Sequence, residues 1–556
     1  MRRDGAILRA SAPALGAALL ALLVFSAWLS ARRVYQIDEC YAARMERQLA
    51  DGSWRRFQTD PGALFLALSR VAGSAPDSRE TFARSRRAML ALFWLNLVLL
   101  AAAAGEKADL GGTTALVCAA TLAPLWDYGL EMRHDNLLLC AILLTWLVLR
   151  ARPGGRPAYF AAGACAVVGQ LAAFKAFVFL IPISAAFLIF PPPEHRASRL
   201  ALSAWWAAGA ASALAAGWAL YARLGLWSAY LTDMRGMLHA AASVRRILPW
   251  EASGRILWEA PVLAVLTAAA LRLAARDFRE KSPTSVWDGA RPEAALTLLA
   301  LAEFAADPTP YAYNLIYLCS FAFLLVWRSA PALLREHRAR LDAGKPSRRA
   351  LMAAHAAAFV AALGWAALWT NARQTALMDA AESLTGPDDP VLDGAGLVPA
   401  RPAPTRDWLM DTLNIARWRD PARAPLRELW AKDPAPVFIA DYRTDWLAAA
   451  DREFLERRYA AISDDFRVLA ASLPPGGGDF DVPRAGRYLI AGPRDCAGAA
   501  LDARPLSSNP VVLAAGSHRW SAPAACRAAA LWVGPRRDDL PRLGPGDHRR
   551  VFVDWY

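Results

Sequence analysis

The run YFAAGACAVVGQLAAFKAFVFLIPISAAFLIF, Tyr159 to Phe190, decides the fold. Its 32 residues make about 48 Å as one helix, against a hydrocarbon core of about 30 Å. Both flanks are basic: Arg150, Arg152 and Arg156 before it, His195, Arg196 and Arg199 after it. Basic loops stay on the cytoplasmic side, so like flanks put both ends of the run there. The run therefore turns back, with its tip at Phe174-Lys175-Ala176. Two short helices are predicted where the length alone suggests one.

Apolar runs of this kind recur through the first two thirds of the chain. Of 556 residues, 56% are hydrophobic, which is too apolar for an ordinary soluble protein. Further spans read as Ser11–Ala31, Ala88–Ala104, Thr113–Tyr128, Leu137–Leu149, Leu200–Tyr221, Ile256–Ala275, Pro292–Ala305, Ala312–Trp327 and Ala350–Thr370. With the hairpin this makes about eleven transmembrane helices by the length rule. Ser11–Ala31 is longer than a usual signal core and is followed by more spans, so it reads as a retained anchor.

The net charge of +13 has a location. From Asn371 onward, Lys and Arg number 24 against 25 Asp and Glu; residues 1–370 carry 39 against 25. The excess lies between the apolar runs, which is the signature of membrane topology. Nothing in it points to nucleic acid. Loops near 1–10, 150–156, 195–199, 272–281 and 328–349 are basic and alternate as cytoplasmic loops should. Loops 32–87, 127–136, 222–255 and 306–311, the tip at Lys175, and everything after Thr370 then face outward. One loop resists: Arg55, Arg56, Arg79, Arg84, Arg86 and Arg87 lie on the outer side. At about 55 residues that loop approaches the length where the charge rule weakens. A function for these arginines also accounts for them.

Three domains are expected: a transmembrane part, 1–370, then a soluble α/β region, 371–465, then a small β-sandwich-like region, 466–556. Short strands broken by Gly and Pro mark the last. Seven cysteines are scattered without metal-ligand spacing. Cys496 and Cys526 share the tail and are able to pair in an oxidising compartment.

Four features fall on the outer side. The first is Tyr35-Gln-Ile-Asp38-Glu39-Cys-Tyr41, just past the first span, followed by an amphipathic segment and a turn at Asp51-Gly52. The second is Glu131-Met-Arg133-His134-Asp135-Asn136, the third Lys175, and the fourth the arginine set that includes Arg84 and Arg87. Asp38 and Glu39 suit a helix first turn, and Lys175 suits snorkelling at a helix end. Arg133 and His134 suit interface anchoring. Membrane-edge charges are also costly and tend to be functional. Taken together they suit transfer from a lipid phosphate. Basic groups would hold the leaving phosphate, one carboxylate would take the acceptor's proton, and the second acid would orient it or hold a metal.

This layout resembles the GT-C superfamily of polyprenyl-phosphate-sugar-dependent glycosyltransferases, nearest its protein O-mannosyltransferase-like and lipid A aminoarabinose transferase-like families. The residues that carry the resemblance are Ile37-Asp38-Glu39 with Tyr41, Leu49–Gly52, Glu131–Asp135, Leu171–Phe177 and Tyr311-Ala-Tyr313. It covers roughly residues 10–370 and implies a catalytic role for Asp38, a second outer-loop acid at Asp135 and lipid-phosphate binding by Lys175. Beside these, Glu39 is a further candidate catalytic acid, Arg133, His134, Arg84 and Arg87 are candidate phosphate-binding residues, and Tyr41, Glu131 and Tyr313 candidate substrate contacts. His134 stands where relatives often have Pro, and Phe174-Lys175-Ala176 where they often have Thr-Lys-Gly. The expected activity is inverting transfer of a sugar from a polyprenyl phosphate to a glycan, lipid or protein acceptor. The expected place is the periplasmic face of a bacterial inner membrane. A divalent metal is compatible with two outer acids. The alternatives are a lipid-linked glycan polymerase or ligase, or a non-enzymatic transporter or glycan-binding scaffold. For the polymerase, loop 222–255 offers Asp233, Arg235, His239, Arg245, Arg246 and Glu251.

Overall fold

The structure is a computed structural model. It describes residues 2–52, 75, 77–105, 110–151, 155–173, 175–189, 199–232, 234–235, 255–280, 290–306, 312–343, 345–405, 410, 425–492, 496, 498–506 and 508–552. The expected interfacial segment 61–73, Arg55, Arg56 and Tyr311 lie outside them. So do most of the charged residues of loop 222–255.

The membrane part opens with α1 (Arg2–Arg32), α2 (Ile37–Asp51), α3 (Ser78–Ala103), α4 (Leu110–Ala120), α5 (Ala123–Gly129) and α6 (His134–Ala151). It continues with α7 (Arg156–Ala172), α8 (Ala176–Ile189), α9 (Arg199–Arg223), α10 (Pro261–Glu280) and α11 (Arg291–Ala306). It closes with α12 (Leu315–Ala343) and α13 (Lys345–Leu368). Among the described residues five helices are long and apolar enough to cross a membrane: Ala12–Arg32, Ser78–Ala103, Arg199–Arg223, Ala312–Glu336 and Ala350–Leu368.

The run at 159–190 forms α7 and α8, with Lys175 in the turn between them. The expected span Thr113–Tyr128 is broken at Thr121-Leu122 into α4 and α5. Pro124 explains the break, because proline suits a helix's first turn and disrupts an interior. Asp77 caps α3 by accepting from Glu80 N at 2.7 Å, so that helix starts ten residues before the apolar run does.

The tail begins with α14 (Ala372–Leu384). Two short helices, α15 (Leu426–Lys432) and α16 (Ala449–Arg458), interrupt its strands. The strands are β1 (Val391–Asp393), β2 (Val437–Ile439), β3 (Tyr459–Ser463), β4 (Phe466–Ser472), β5 (Gly478–Val482), β6 (Gly486–Ala491), β7 (Ala500–Leu501), β8 (Arg504–Pro505), β9 (Val511–Leu513), β10 (Gly516–Ser521) and β11 (Ala529–Trp532). One sheet runs β1-β2-β4-β11-β6-β9 with β3 also on β4; the other runs β5-β10-β7-β8. The first sheet crosses the expected boundary at 465/466. Val437 pairs with Val468 and Leu531 with Ala470, so strands from both sides share one ladder. Cys496 and Cys526 are joined by a disulfide.

Two stitches position the site. The ends of α1 and α13 meet where Val34 N donates to Trp369 O and Asn371 N to Arg32 O, each at 2.9 Å. Tyr35 then exchanges two hydrogen bonds with the Gln374 amide, at 2.7 and 2.8 Å. Beyond this, α2 packs into the tail's apolar core. Cys40, Tyr41, Ala43 and Met45 cluster with Leu377, Leu392, Val398 and Phe438. Arg44 crosses the same interface to Asp393 Oδ2 and Val398 O, each at 2.9 Å, with both side chains buried.

Candidate active site

Helix α2 starts immediately after the chain leaves α1. Gln36 and Glu39 form a reciprocal capping box, which fixes the first turn and the direction of each acid. Successive helical residues point about 100° apart, so Asp38 and Glu39 face different surroundings. The Asp38 side chain is 40% exposed, and that of Glu39 is not exposed at all.

Glu39 is enclosed. Its oxygens accept from Arg86 Nε at 2.9 Å and Nη2 at 2.6 Å, from Gln36 N at 2.9 Å and from Met132 N at 3.1 Å. Arg86 spends its other protons on Ser30 O, Arg33 O and Val34 O, and its guanidinium lies over the Tyr35 ring. Burial acts to raise the Glu39 carboxyl, but the Arg86 charge and hydrogen bonds outweigh it and hold the group below its ordinary value. The buried chain continues through Arg33, which reaches Asp127 at 3.0 Å and Glu131 at 3.2 Å. Burial raises the Glu131 carboxyl despite those cations.

Asp38 opens on a different set of groups. Arg133 Nη1 donates to Asp38 Oδ2, and Arg133 Nε donates to Asp135 Oδ2 at 3.0 Å. One buried guanidinium therefore bridges the two acids. The other Asp135 oxygen takes Lys175 Nζ and the Tyr317 hydroxyl, the latter at 2.9 Å. Lys175 also donates to Asn314 Oδ1 at 2.6 Å. The Tyr313 ring centroid lies 3.8 Å from the Arg133 guanidinium carbon and 4.6 Å from Lys175 Nζ, so both cations meet the same ring. His134 is buried beside Asp135 at 4.0 Å.

The structure thus gathers Asp38, Arg133, His134, Asp135, Lys175 and Tyr313 into one cluster, with Glu131 at its back. It does not bring in Arg84 or Arg87. Both pair with Glu80 on the surface of α3, at 3.0 and 2.9 Å. Tyr41 points into the tail's core with Arg443 over its ring, rather than toward the cluster. Sequence reading missed Asn314 and Tyr317. Their signal was faint: an Asn at the start of an apolar run, and two tyrosines, 313 and 317, at the i, i+4 spacing of one helix face.

As a metal site the cluster is a poor fit. Both Asp135 oxygens are engaged by Arg133 and Lys175, and one Asp38 oxygen by Arg133, so a divalent ion bridging the two acids would have to displace a buried cation. Among the described residues one group has ligand-like spacing: Asp464, Asp547 and His548, in the tail. There His548 is already engaged by Asp464 at 2.6 Å and Asp445 at 3.1 Å.

No protein-family model and no curated protein matches the chain. It is similar to crystal structures of the Archaeoglobus fulgidus oligosaccharyltransferase. The apo form shows 13% identity and a TM-score of 0.45, over 85% of this chain and 73% of that one. The form tethered with an acceptor peptide containing the NVT sequon shows 14% and 0.43, over 83% and 73%. Likeness at this level says nothing of donor or acceptor.

Proposed function

We propose that this chain is an inverting glycosyltransferase of the GT-C kind, acting at the periplasmic face of a bacterial inner membrane. It moves a sugar from a polyprenyl phosphate to a glycan, lipid or protein acceptor. One observation carries the reading: a half-open carboxylate, Asp38, shares the guanidinium of Arg133 with the buried Asp135–Lys175 pair.

The chemistry follows from those atoms. The donor's phosphate draws on Arg133 and Lys175, the two cations against the Tyr313 ring. As Arg133 turns its protons toward phosphate, Asp38 loses its partner and becomes a competent base. The acceptor hydroxyl gives its proton to Asp38 while its oxygen attacks the anomeric carbon. The bond from that carbon to the phosphate oxygen breaks, and the electron pair leaves with the lipid phosphate, whose charge the two cations stabilise. Attack opposite the leaving group inverts the anomeric centre. Asp135 holds Lys175 and Arg133 in place. Glu39 is a positioning residue, since every oxygen it has is engaged by Arg86 and two backbone amides.

The direct test is transfer from a polyprenyl-phosphate monosaccharide by purified protein. Asp38→Asn should lower it by about 10²–10⁴-fold while insertion and unfolding midpoint stay unchanged. Wild-type turnover in that variant ends the reading. An oligosaccharide donor used in preference to a monosaccharide one favours the polymerase or ligase instead.

A further inference from the structure

Asn314 ends a 3-10 turn, Ala312–Asn314, that leads straight into α12. One short stretch of chain therefore brings three groups to the cluster: the Tyr313 ring, the Asn314 amide and the Tyr317 hydroxyl. That stretch is held fast. Ala312, Asn314, Leu315, Ile316 and Tyr317 are all buried, and the Tyr317 ring packs on Phe179 of α8 with centroids 4.9 Å apart.

Lys175 is the movable partner. Its side chain is 15% exposed, and it sits between α7 and α8 on a flexible four-carbon stem. Among the described residues its ammonium meets two oxygens, Asp135 Oδ1 and Asn314 Oδ1, and two rings, Tyr313 at 4.6 Å and Tyr317 at 5.2 Å. An ammonium has three protons. Two are taken by these oxygens, so a phosphate that draws on more than one must displace a partner.

The two oxygens are unequal. Asp135 carries a full charge, is completely buried, and is held by Arg133 and Tyr317 as well. Breaking an ion pair there leaves a buried charge uncompensated. Asn314 is neutral, so its bond to Lys175 is assisted by one charge only and is the weaker of the two. It is the contact that yields. A carboxylate of the same shape could not serve, because it would clamp Lys175 between two acids and repel the phosphate.

We infer that Asn314 is a positioning residue for the donor: its side-chain oxygen holds Lys175 until a phosphate arrives and then gives that proton up to the phosphate. This rests on the proposed function, in which Lys175 meets the donor's phosphate.

The test measures binding of undecaprenyl phosphate to the full chain in phosphatidylcholine nanodiscs by native mass spectrometry, with undecaprenol as the uncharged control. Asn314→Asp should weaken binding by about tenfold or more, through the added negative charge. Asn314→Ala should tighten it by about twofold to tenfold, the weight of one hydrogen bond that no longer competes. Asn314→Leu, which keeps the bulk without an acceptor, should tighten it likewise. A merely structural role would weaken binding in all three. Lys175→Gln tells the two readings apart. If wild type binds undecaprenyl phosphate no more tightly than undecaprenol, or no more tightly than Lys175→Gln does, the proposed phosphate site fails and this inference with it. If Lys175→Gln weakens binding but Asn314→Asp does not, or if Asn314→Ala and Asn314→Leu both weaken it, the inference alone is overturned.

Discussion

Asp38 and Glu39 are neighbours in the chain and belong to two different regions of the molecule. Asp38 is itself half-open, and it faces cations, Arg133 and Lys175, that are each shared between several partners. Glu39 lies in a closed network with Arg86, Ser30, Val34 and Met132, where every proton has one destination. The first region can exchange a partner for a substrate. The second can only hold the first in position. Burial and completeness of pairing, rather than residue type, separate the two roles.

The comparison breaks most easily at Asp38. Asp38→Asn should lower transfer by about 10²–10⁴-fold, the usual weight of a general base, with the unfolding midpoint intact. Next comes Lys175→Gln, which removes one phosphate-facing charge. It should cost about 10²–10³-fold in turnover, measured at saturating donor. Glu39→Gln leaves the Arg86 charge buried without its partner. It should cost on the order of 3–5 kcal/mol of stability by chemical unfolding, while turnover per folded molecule stays within a few-fold of wild type. Collapse of turnover in a well-folded Glu39→Gln protein would place Glu39 in the chemistry and erase the distinction.

A buried acid without a cation sharpens the same contrast by its sign. Asp441 is raised to about 7, chiefly by burial. Its neutral form is favoured by folding, so its contribution is full below its unfolded value and is lost as pH rises through about 7. Glu39 runs the other way: it is depressed, and its contribution is lost as pH falls. Asp441→Asn should therefore gain stability over wild type between pH 5 and 7, levelling off above, in thermal unfolding across that window. The smallest effect belongs to Arg84→Ala with Arg87→Ala. Among the described residues both side chains pair with exposed Glu80 and Arg87 also donates to Ala83 O, with no contact to the cluster, so transfer should stay within about twofold of wild type.

What the sequence disclosed follows the range of each interaction. The hairpin at Lys175 was legible because length and flanking charge are local quantities. The capping pair Asp77–Glu80 and the turn at Gly52 were legible for the same reason. The division of labour between Asp38 and Glu39 was not, because it depends on helical phase and on Arg86, 47 residues away. Arg44 and Asp393 are 349 residues apart, and no spacing rule joins them. The shared sheet was missed because β4 finds partners on both sides of an apparent change in composition.

Helix α2 has a practical consequence for anyone wishing to study the tail by itself. A fragment beginning at Asn371 would leave Asp393 buried with no counter-ion and strip the cover from Leu392 and Val398. Such a fragment should be recovered as aggregate. Grafting residues 34–52 ahead of it through a flexible linker should restore a monodisperse product, because the missing piece is a single helix with its own N-cap and C-cap.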